Sequence, residues 1–205
     1  MADVGAEVTL EQMPGLNHGP SYFSIDEDGR VIRMDSLSKL VAPMMRVGWV
    51  TASPCFIDAL HRHSSLSSMG PSAFSTRILA LDLAGPRWEQ RARAVQLEYF
   101  SRRSLFLAAM QRHLTGLASW NVPQAGMFVW VSFPGVDDTR ALMKLGAQTG
   151  ILILPGDIFS ASGPRQKTPF ARLTFAAIDP SLFDEAFLRL SQLLKTVIIP
   201  TALVH

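Results

Sequence analysis

Between Pro86 and Leu114, apolar side chains return at three-, four- and seven-residue steps through Trp88, Ala92, Val95, Tyr99, Phe106 and Met110. Arg91, Arg93, Arg102 and Arg112 take polar positions along the same stretch, which predicts one long amphipathic helix. Shorter helices are predicted on both sides of it. "PCFIDALHRHSSL" opens at Pro54 behind a candidate N-cap, Ser53, and "AFSTRILALDL" follows Ser72. Two more cover about Asp138 to Gln148 and the closing "DPSLFDEAFLRLSQLLKTV", with Asp179 as N-cap and Pro180 in first position. Strand-like runs lie between them: "VIRMD" after the turn "IDEDGR", "RVGWVTA", "MFVWVSF", "ILIL" and "FARLTFAA". The stretch before Ser21, with Pro14, Gly15, Asn17, Gly19 and Pro20, shows no period and reads as an irregular lead-in. Short strands separated by helices indicate an α/β chain. The break "AGPRW" marks a domain boundary near Gly85, giving segments 1–84 and 85–197 and an apolar tail, 198–205, broken by Pro200.

Composition narrows the class. At 205 residues and 48% hydrophobic the chain can bury a core, and it is not a disordered sequence. A formal charge of +2, evenly spread, argues against a nucleic-acid or anionic-membrane partner. No apolar run approaches the roughly 20 residues of a membrane helix. The N-terminal "MADVGAEVTLEQ" lacks a basic-then-apolar targeting pattern, so a soluble chain of the cytoplasm or mitochondrion is expected, with no targeting signal in this chain. The single cysteine, Cys55, cannot form an internal disulfide, and a buried structural thiol is expected there. His61 and His63 are two apart and diverge on a helix, so no metal site is expected from them.

One segment carries chemistry. "DSLSKLVAPMMRVGWVTA", Asp35 to Ala52, holds one ammonium (Lys39), two hydroxyls just before it (Ser36 and Ser38) and one guanidinium seven residues on (Arg46). Desolvation and a neighbouring cation both favour a neutral, nucleophilic lysine. Leu40, Val41, Met44 and Met45 are expected to exclude water, and Arg46 supplies the cation. The serines and the guanidinium can together grip a phosphate. A lysine beside a phosphate grip is what pyridoxal phosphate requires; the alternative is a solvated surface loop.

The segment resembles the lysine motif of fold-type I pyridoxal-phosphate-dependent aminotransferases: S-x-S-K, six residues, then R-x-G. "GRVIRMDSLSK", "LTGLASWNVPQAGMFVWV", "GILILPGDIF" and "FARLTFAA" are similar, in the same order, to stretches of the kynurenine/2-aminoadipate group. The resemblance runs from about Ser21 to Leu194. It implies that Lys39 forms the imine with pyridoxal 5'-phosphate and shuttles the substrate's α-proton. It implies that Ser36, Ser38 and Arg46 hold the phosphate, and that Arg172 clamps the substrate α-carboxylate. Read without it, Arg172 is a strand-edge arginine in a surface ion pair. Gly126, Met127, Phe128 and Trp130 read as packing residues of the small domain's entry strand, part of which the family sets beside the substrate.

The resemblance also implies parts that do not precede Lys39 here: a phosphate loop, a ring-stacking aromatic, an asparagine, and an aspartate for the pyridine nitrogen. None of Asp3, Asp26, Asp28 and Asp35 stands in the D-x-x-Y setting, and the "GPSY" setting of Tyr22 does not match. The chain thus resembles a C-terminal half, with 1–84 a remnant of the large cofactor-binding domain and 85–197 the small α/β domain. Two readings follow. One is an aminotransferase moving the amino group of an aromatic or 2-aminoadipate-like amino acid to a 2-oxoacid, incomplete as this chain alone. The other is a non-catalytic remnant acting as a dimerisation or binding module, either as a homodimer or with a full-length relative.

Overall fold

The computed structural model describes residues 20–161, 163 and 166–198; the proposed lead-in before Pro20 and most of the tail lie outside them. The chain divides into two compact units, the first spanning Leu16–Gln96 and the second beginning at Leu97. The division falls inside the long helix.

In the first unit a 3-10 turn at Tyr22–Ile25 leads to β1 (Arg33–Ser36), a second 3-10 turn at Pro43–Met45, and β2 (Gly48–Thr51). Two helices follow, α1 (Pro54–Ser67) and α2 (Ala73–Leu83), then the start of α3 (Trp88–Leu114). β1 and β2 pair antiparallel, Arg33 against Thr51 through Ser36 against Gly48, and enclose the loop 37–47. Ser72 caps α2 as expected, its hydroxyl accepting from the Ser75 amide at 3.3 Å. Ser53 holds the N-cap position of α1 without a capping bond; its hydroxyl lies 3.3 Å from the Cys55 thiol. Among the described residues of this unit only Leu37 and Leu79 are buried apolar side chains, while Leu66, Met69 and Phe74 are largely exposed. Cys55 is exposed too, contrary to the expected buried thiol, because no residue of α1 is covered deeply enough to be buried.

The second unit takes the rest of α3 and adds β3 (Ser119–Trp120), β4 (Phe128–Ser132), α4 (Thr139–Gln148), β5 (Leu154–Pro155), β6 (Phe170–Thr174) and α5 (Phe183–Ile198). Its sheet runs β3-β4-β6-β5 with every pair antiparallel. Alternation gives the sheet one buried face, carrying Val129, Val131, Ala171 and Leu173. Against that face pack the α3 residues Phe106, Ala109, Met110 and Leu114, and α5 contributes Phe183, Phe187, Leu190 and Leu194 at three- and four-residue steps. Phe106 is the hub, with ring centroids 5.8 Å from Phe175, 5.1 Å from Phe183 and 4.8 Å from Phe187. The periodic residues nearer the start of α3, Trp88, Ala92, Val95 and Tyr99, are only half-buried.

Two elements differ from the sequence expectation. "ILIL" is not a strand along its length: only Leu154 of it pairs, while Ile151 and Ile153 are buried as irregular backbone. The cause is the end of α4, where Gly150 takes φ 76° and the Ile151 amide bonds back to the Gly146 carbonyl at 2.8 Å. That closure keeps the next residues beside the helix. The closing helix begins at Phe183, and Asp179 instead caps the 3-10 turn Pro180–Leu182, accepting from the Ser181 amide at 2.9 Å. β3, two residues long, is too short to show alternation. Among the described residues no helix is long and apolar enough to cross a membrane.

Two outcomes are expected. Phe175 is fully buried and meets the rings of Tyr99 and Phe106. Phe175→Ala should lower the second unit's stability by about 3–5 kcal/mol in denaturant unfolding. Asp184 accepts from Arg112 at 2.7 Å and lies 3.0 Å from His113, contacts that hold its carboxyl below the ordinary 3.8. A depressed carboxylate stabilises the fold at pH above its unfolded value, and the effect is lost as pH falls through the folded value. Asp184→Asn should therefore melt slightly lower at neutral pH and converge with the parent in strong acid, with a small difference because the pair is exposed.

Candidate functional site

The loop 37–47 gathers the sequence-predicted lysine and its neighbours at one end of the β1–β2 hairpin. Two backbone bonds to the Leu37 carbonyl, from Leu40 at 3.2 Å and Val41 at 2.9 Å, form the turn that carries Lys39. Leu37 itself is buried and bonds the Val47 carbonyl through its amide at 3.3 Å, so the turn is anchored directly before the lysine. Ser36 accepts from the Ser38 amide at 3.2 Å and donates to the Ser38 hydroxyl at 3.0 Å. That arrangement leaves the Ser38 proton available to an incoming oxygen. Arg46 ends the Pro43–Met45 turn in the left-handed region at φ 52°, two residues before Gly48, the Cα partner of Ser36. Its exposed guanidinium makes one long contact, 3.4 Å to the Pro43 carbonyl. Two hydroxyls and a guanidinium on one loop, with no carboxylate paired to the guanidinium among the described residues, are a donor set suited to a phosphate.

The expected apolar shield does not form around the lysine. Lys39 is exposed, as are Leu40 and Met44, the latter 87% accessible. A four-residue turn with one buried side chain has nothing above it to exclude water. Gly48, a part of the motif given no role from sequence, has a clear one. A Cβ there would stand 2.6 Å from the Asp35 carbonyl oxygen, so only glycine lets the two strands close at the foot of the loop.

The described upstream aspartates are all engaged locally. Asp26 accepts from the amides of Val31 at 2.8 Å and Arg30 at 3.1 Å, and the Val31 bond leads in lowering its pKa. Asp28 pairs with Arg30 and Asp35 with Arg33. Asp3 lies outside the described residues. His61 and His63 border a shallow groove along α1, and no cluster with metal-ligand geometry occurs among the described residues.

Arg172 lies in the second unit, in the middle of a strand that is itself flanked by β4 and β5. It is thus not at a sheet edge, and among the described residues no carboxylate pairs with it. Its Cζ lies 3.9 Å from the centre of the Phe128 ring and 4.9 Å from that of Phe159. Trp130, its cross-strand partner, meets Phe159 edge-on at 5.6 Å and stacks on Phe170 at 5.9 Å. Phe128 and Trp130 are therefore not core packing residues, as the sequence suggested. They stand 38% and 40% exposed on the sheet's open face, because their neighbours Val129 and Val131 take the buried one. Phe159 had no sequence signal of its own. It arrives through a 3-10 turn, Gly156–Phe159, whose glycine passes so close to β6 that a Cβ would meet the Phe170 carbonyl oxygen at 2.7 Å. Arg172 also borders a cavity of about 310 Å³ lined by Ile153, Leu154, Thr174 and Phe187 among others.

Comparison with known proteins identifies the family of the chain. The sequence model of the family "Aminotransferase class I and II" matches residues 8–190. The mitochondrial kynurenine/alpha-aminoadipate aminotransferase of Rattus norvegicus is 36% identical over 185 residues, covering 87% of this chain and 43% of the relative. Aminotransferase tdiD of Emericella nidulans is 36% identical over 198 residues, covering 87% and 44%. Among solved structures, the kynurenine aminotransferase of Pyrococcus horikoshii superposes with a TM-score of 0.79 at 26% identity, over 84% of this chain and 42% of that one. The multiple substrate aminotransferase of Thermococcus profundus gives 0.80 at 27% identity, over 86% and 43%. The chain spans less than half the length of the curated relatives it matches. An α/β chain with the S-x-S-K…R-x-G loop on its hairpin and an arginine at the centre of its antiparallel sheet, it belongs to the class I and II aminotransferases.

Proposed function

We propose that this chain is part of a pyridoxal-phosphate-dependent aminotransferase that moves the amino group of an aromatic or 2-aminoadipate-like amino acid to a 2-oxoacid. The observation that carries the reading is the single loop bearing Lys39, the Ser36–Ser38 hydroxyl pair and Arg46. Pyridoxal 5'-phosphate, when bound, supplies an electron sink for the substrate's α-carbon. The chain's own residues have separate tasks. Ser36, Ser38 and Arg46 bind phosphate oxygens, the two hydroxyls being in contact with each other. The Lys39 Nζ anchors the cofactor and, once displaced, takes the proton from the substrate's α-carbon. Arg172 holds the α-carboxylate through its planar fork.

The substrate class rests on two supports. The rat relative is named for kynurenine and α-aminoadipate, and the Pyrococcus structure is titled with kynurenine as substrate. The exposed rings of Phe128, Trp130 and Phe159 around Arg172 suit a substrate with an apolar or aromatic side chain. Transamination is proposed for an assembly in which further polypeptide completes the first unit and supplies a carboxylate to the ring nitrogen. Pairing with a longer relative, in the cytoplasm or mitochondrion, fits that requirement. The exposure of Lys39 favours a second reading, a non-catalytic binding or dimerisation module.

The two readings differ in a chemical test. The chain is mixed with pyridoxal phosphate, reduced with borohydride, and the modified lysine mapped by peptide mass spectrometry. The cofactor site predicts label concentrated on Lys39 and absent from Lys39→Ala; label spread evenly over Lys39, Lys144, Lys167 and Lys195 would support the module instead. Gly48→Ala should lower the Lys39 label several-fold, since the close approach to Asp35 then forces the strands apart.

A further inference from the structure

The geometry points to Phe128 and Phe159 as positioning residues that fix the plane of the Arg172 guanidinium and thereby set how tightly the chain holds a carboxylate. This inference rests on the reading of Arg172 as the carboxylate clamp.

An arginine side chain on an open sheet face ordinarily samples many rotamers, and ordering it costs entropy at the moment of binding. Arg172 is restrained beforehand. The Phe128 ring is centred 3.9 Å from its Cζ and the Phe159 ring 4.9 Å, both with the cation over the ring. Each contact is a cation–π interaction, so two aromatic rings restrain the guanidinium before a ligand arrives. The N–H donors of a guanidinium lie in its plane, so the rings leave the donor edges free. Among the described residues, no acceptor lies within hydrogen-bond reach of those edges. A carboxylate approaching in the guanidinium plane can take two parallel N–H groups, beside apolar ring surface.

The rings are themselves held, from two different elements. Phe128 begins β4, where it is diagonal to Arg172 across the ladder that pairs Trp130 with Arg172. Phe159 ends the 3-10 turn after β5 and is braced edge-on by Trp130 at 5.6 Å. Trp130 in turn stacks on Phe170 at 5.9 Å. The row Phe128, Arg172, Phe159, Trp130, Phe170 is thus continuous along the exposed face. Phe128 and Phe159 are 38% and 46% exposed, so a leucine in either place leaves the core of the unit intact.

The test is an NMR titration of the full 205-residue chain with propionate, and with propionamide as the uncharged control. The Arg172 Nε–H resonance is identified by its absence from the spectrum of Arg172→Lys. In the parent, propionate is expected to shift that resonance and propionamide to leave it in place. Phe128→Leu and Phe159→Leu should each raise the propionate Kd about 3–10-fold, in the range of cation–π strengths at half-exposed sites. They should also remove the ring-current displacement of the Arg172 side-chain protons. Phe128→Tyr and Phe159→Tyr, which keep a ring face, should restore both. A parent resonance that propionate does not move would overturn the clamp reading and this inference together. A parent that binds propionate while both leucine variants bind it equally well would overturn the positioning role alone and leave the clamp standing.

Discussion

The pairing of Trp130 with Arg172 commits the second unit's fold and its chemistry in one step. With that register, Val129, Val131, Ala171 and Leu173 face α3 and α5, and Phe128, Trp130 and Arg172 face outward. A slip of one residue in either strand would exchange the faces. The guanidinium would then enter a core of phenylalanines and leucines, where an unpaired charge is far more costly than any packing gain. The hydrophobic core therefore holds Arg172 in place by excluding it. The open face is the consequence, and its four aromatic rings remain exposed because the sheet has helices on one side only among the described elements of this unit.

The lysine loop is built on a different principle. Its order comes from short-range hydrogen bonds: the Leu37 turn, the Ser36–Ser38 exchange, the left-handed Arg46 and the narrow passage at Gly48. These fix where the donors sit along the loop without burying them. A unit with two buried apolar side chains among its described residues does not desolvate an ammonium on its surface. The chemistry that would make Lys39 a nucleophile is consequently not intrinsic to the loop. It depends on what covers the exposed apolar side chains of α1 and α2, which is the same requirement that stability imposes on them.

Much of this was legible in the residue pattern, and for identifiable reasons. The long helix declared itself through residues spaced at helical steps, although burial is deep only from Phe106 onward, where the sheet lies beneath it. The start of α2 followed from Ser72, since capping is local chemistry, whereas Asp179, expected to cap the closing helix, caps the 3-10 turn before it. "ILIL" misled because four apolar residues satisfy a core in any backbone conformation, and the closure at Gly146–Gly150 decided the matter from outside that run. Phe128 and Trp130 misled for the opposite reason. An aromatic residue in a strand suggests packing, and only the register across to β6 reveals which face it takes. Lys39, Ser36, Ser38 and Arg46 were named by motif, but motif says nothing of exposure.

What separates the lysine loop of the first unit from the Arg172 face of the second is the range of the forces that shape them. Arg172 has a structure imposed by residues more than ten positions away, Phe159, Trp130 and Phe128. Lys39 has a structure imposed by residues within ten positions on either side, and its surroundings are solvent. On the proposed reading, the second unit alone would recognise a carboxylate, through a guanidinium already in contact with two rings. A phosphate on the first unit must itself order Arg46, whose guanidinium makes one long hydrogen bond among the described residues, to Pro43. Affinity for carboxylate should accordingly survive conditions that abolish phosphate binding. On the proposed reading of Arg172, that asymmetry would make the carboxylate clamp the more self-sufficient half of the chemistry.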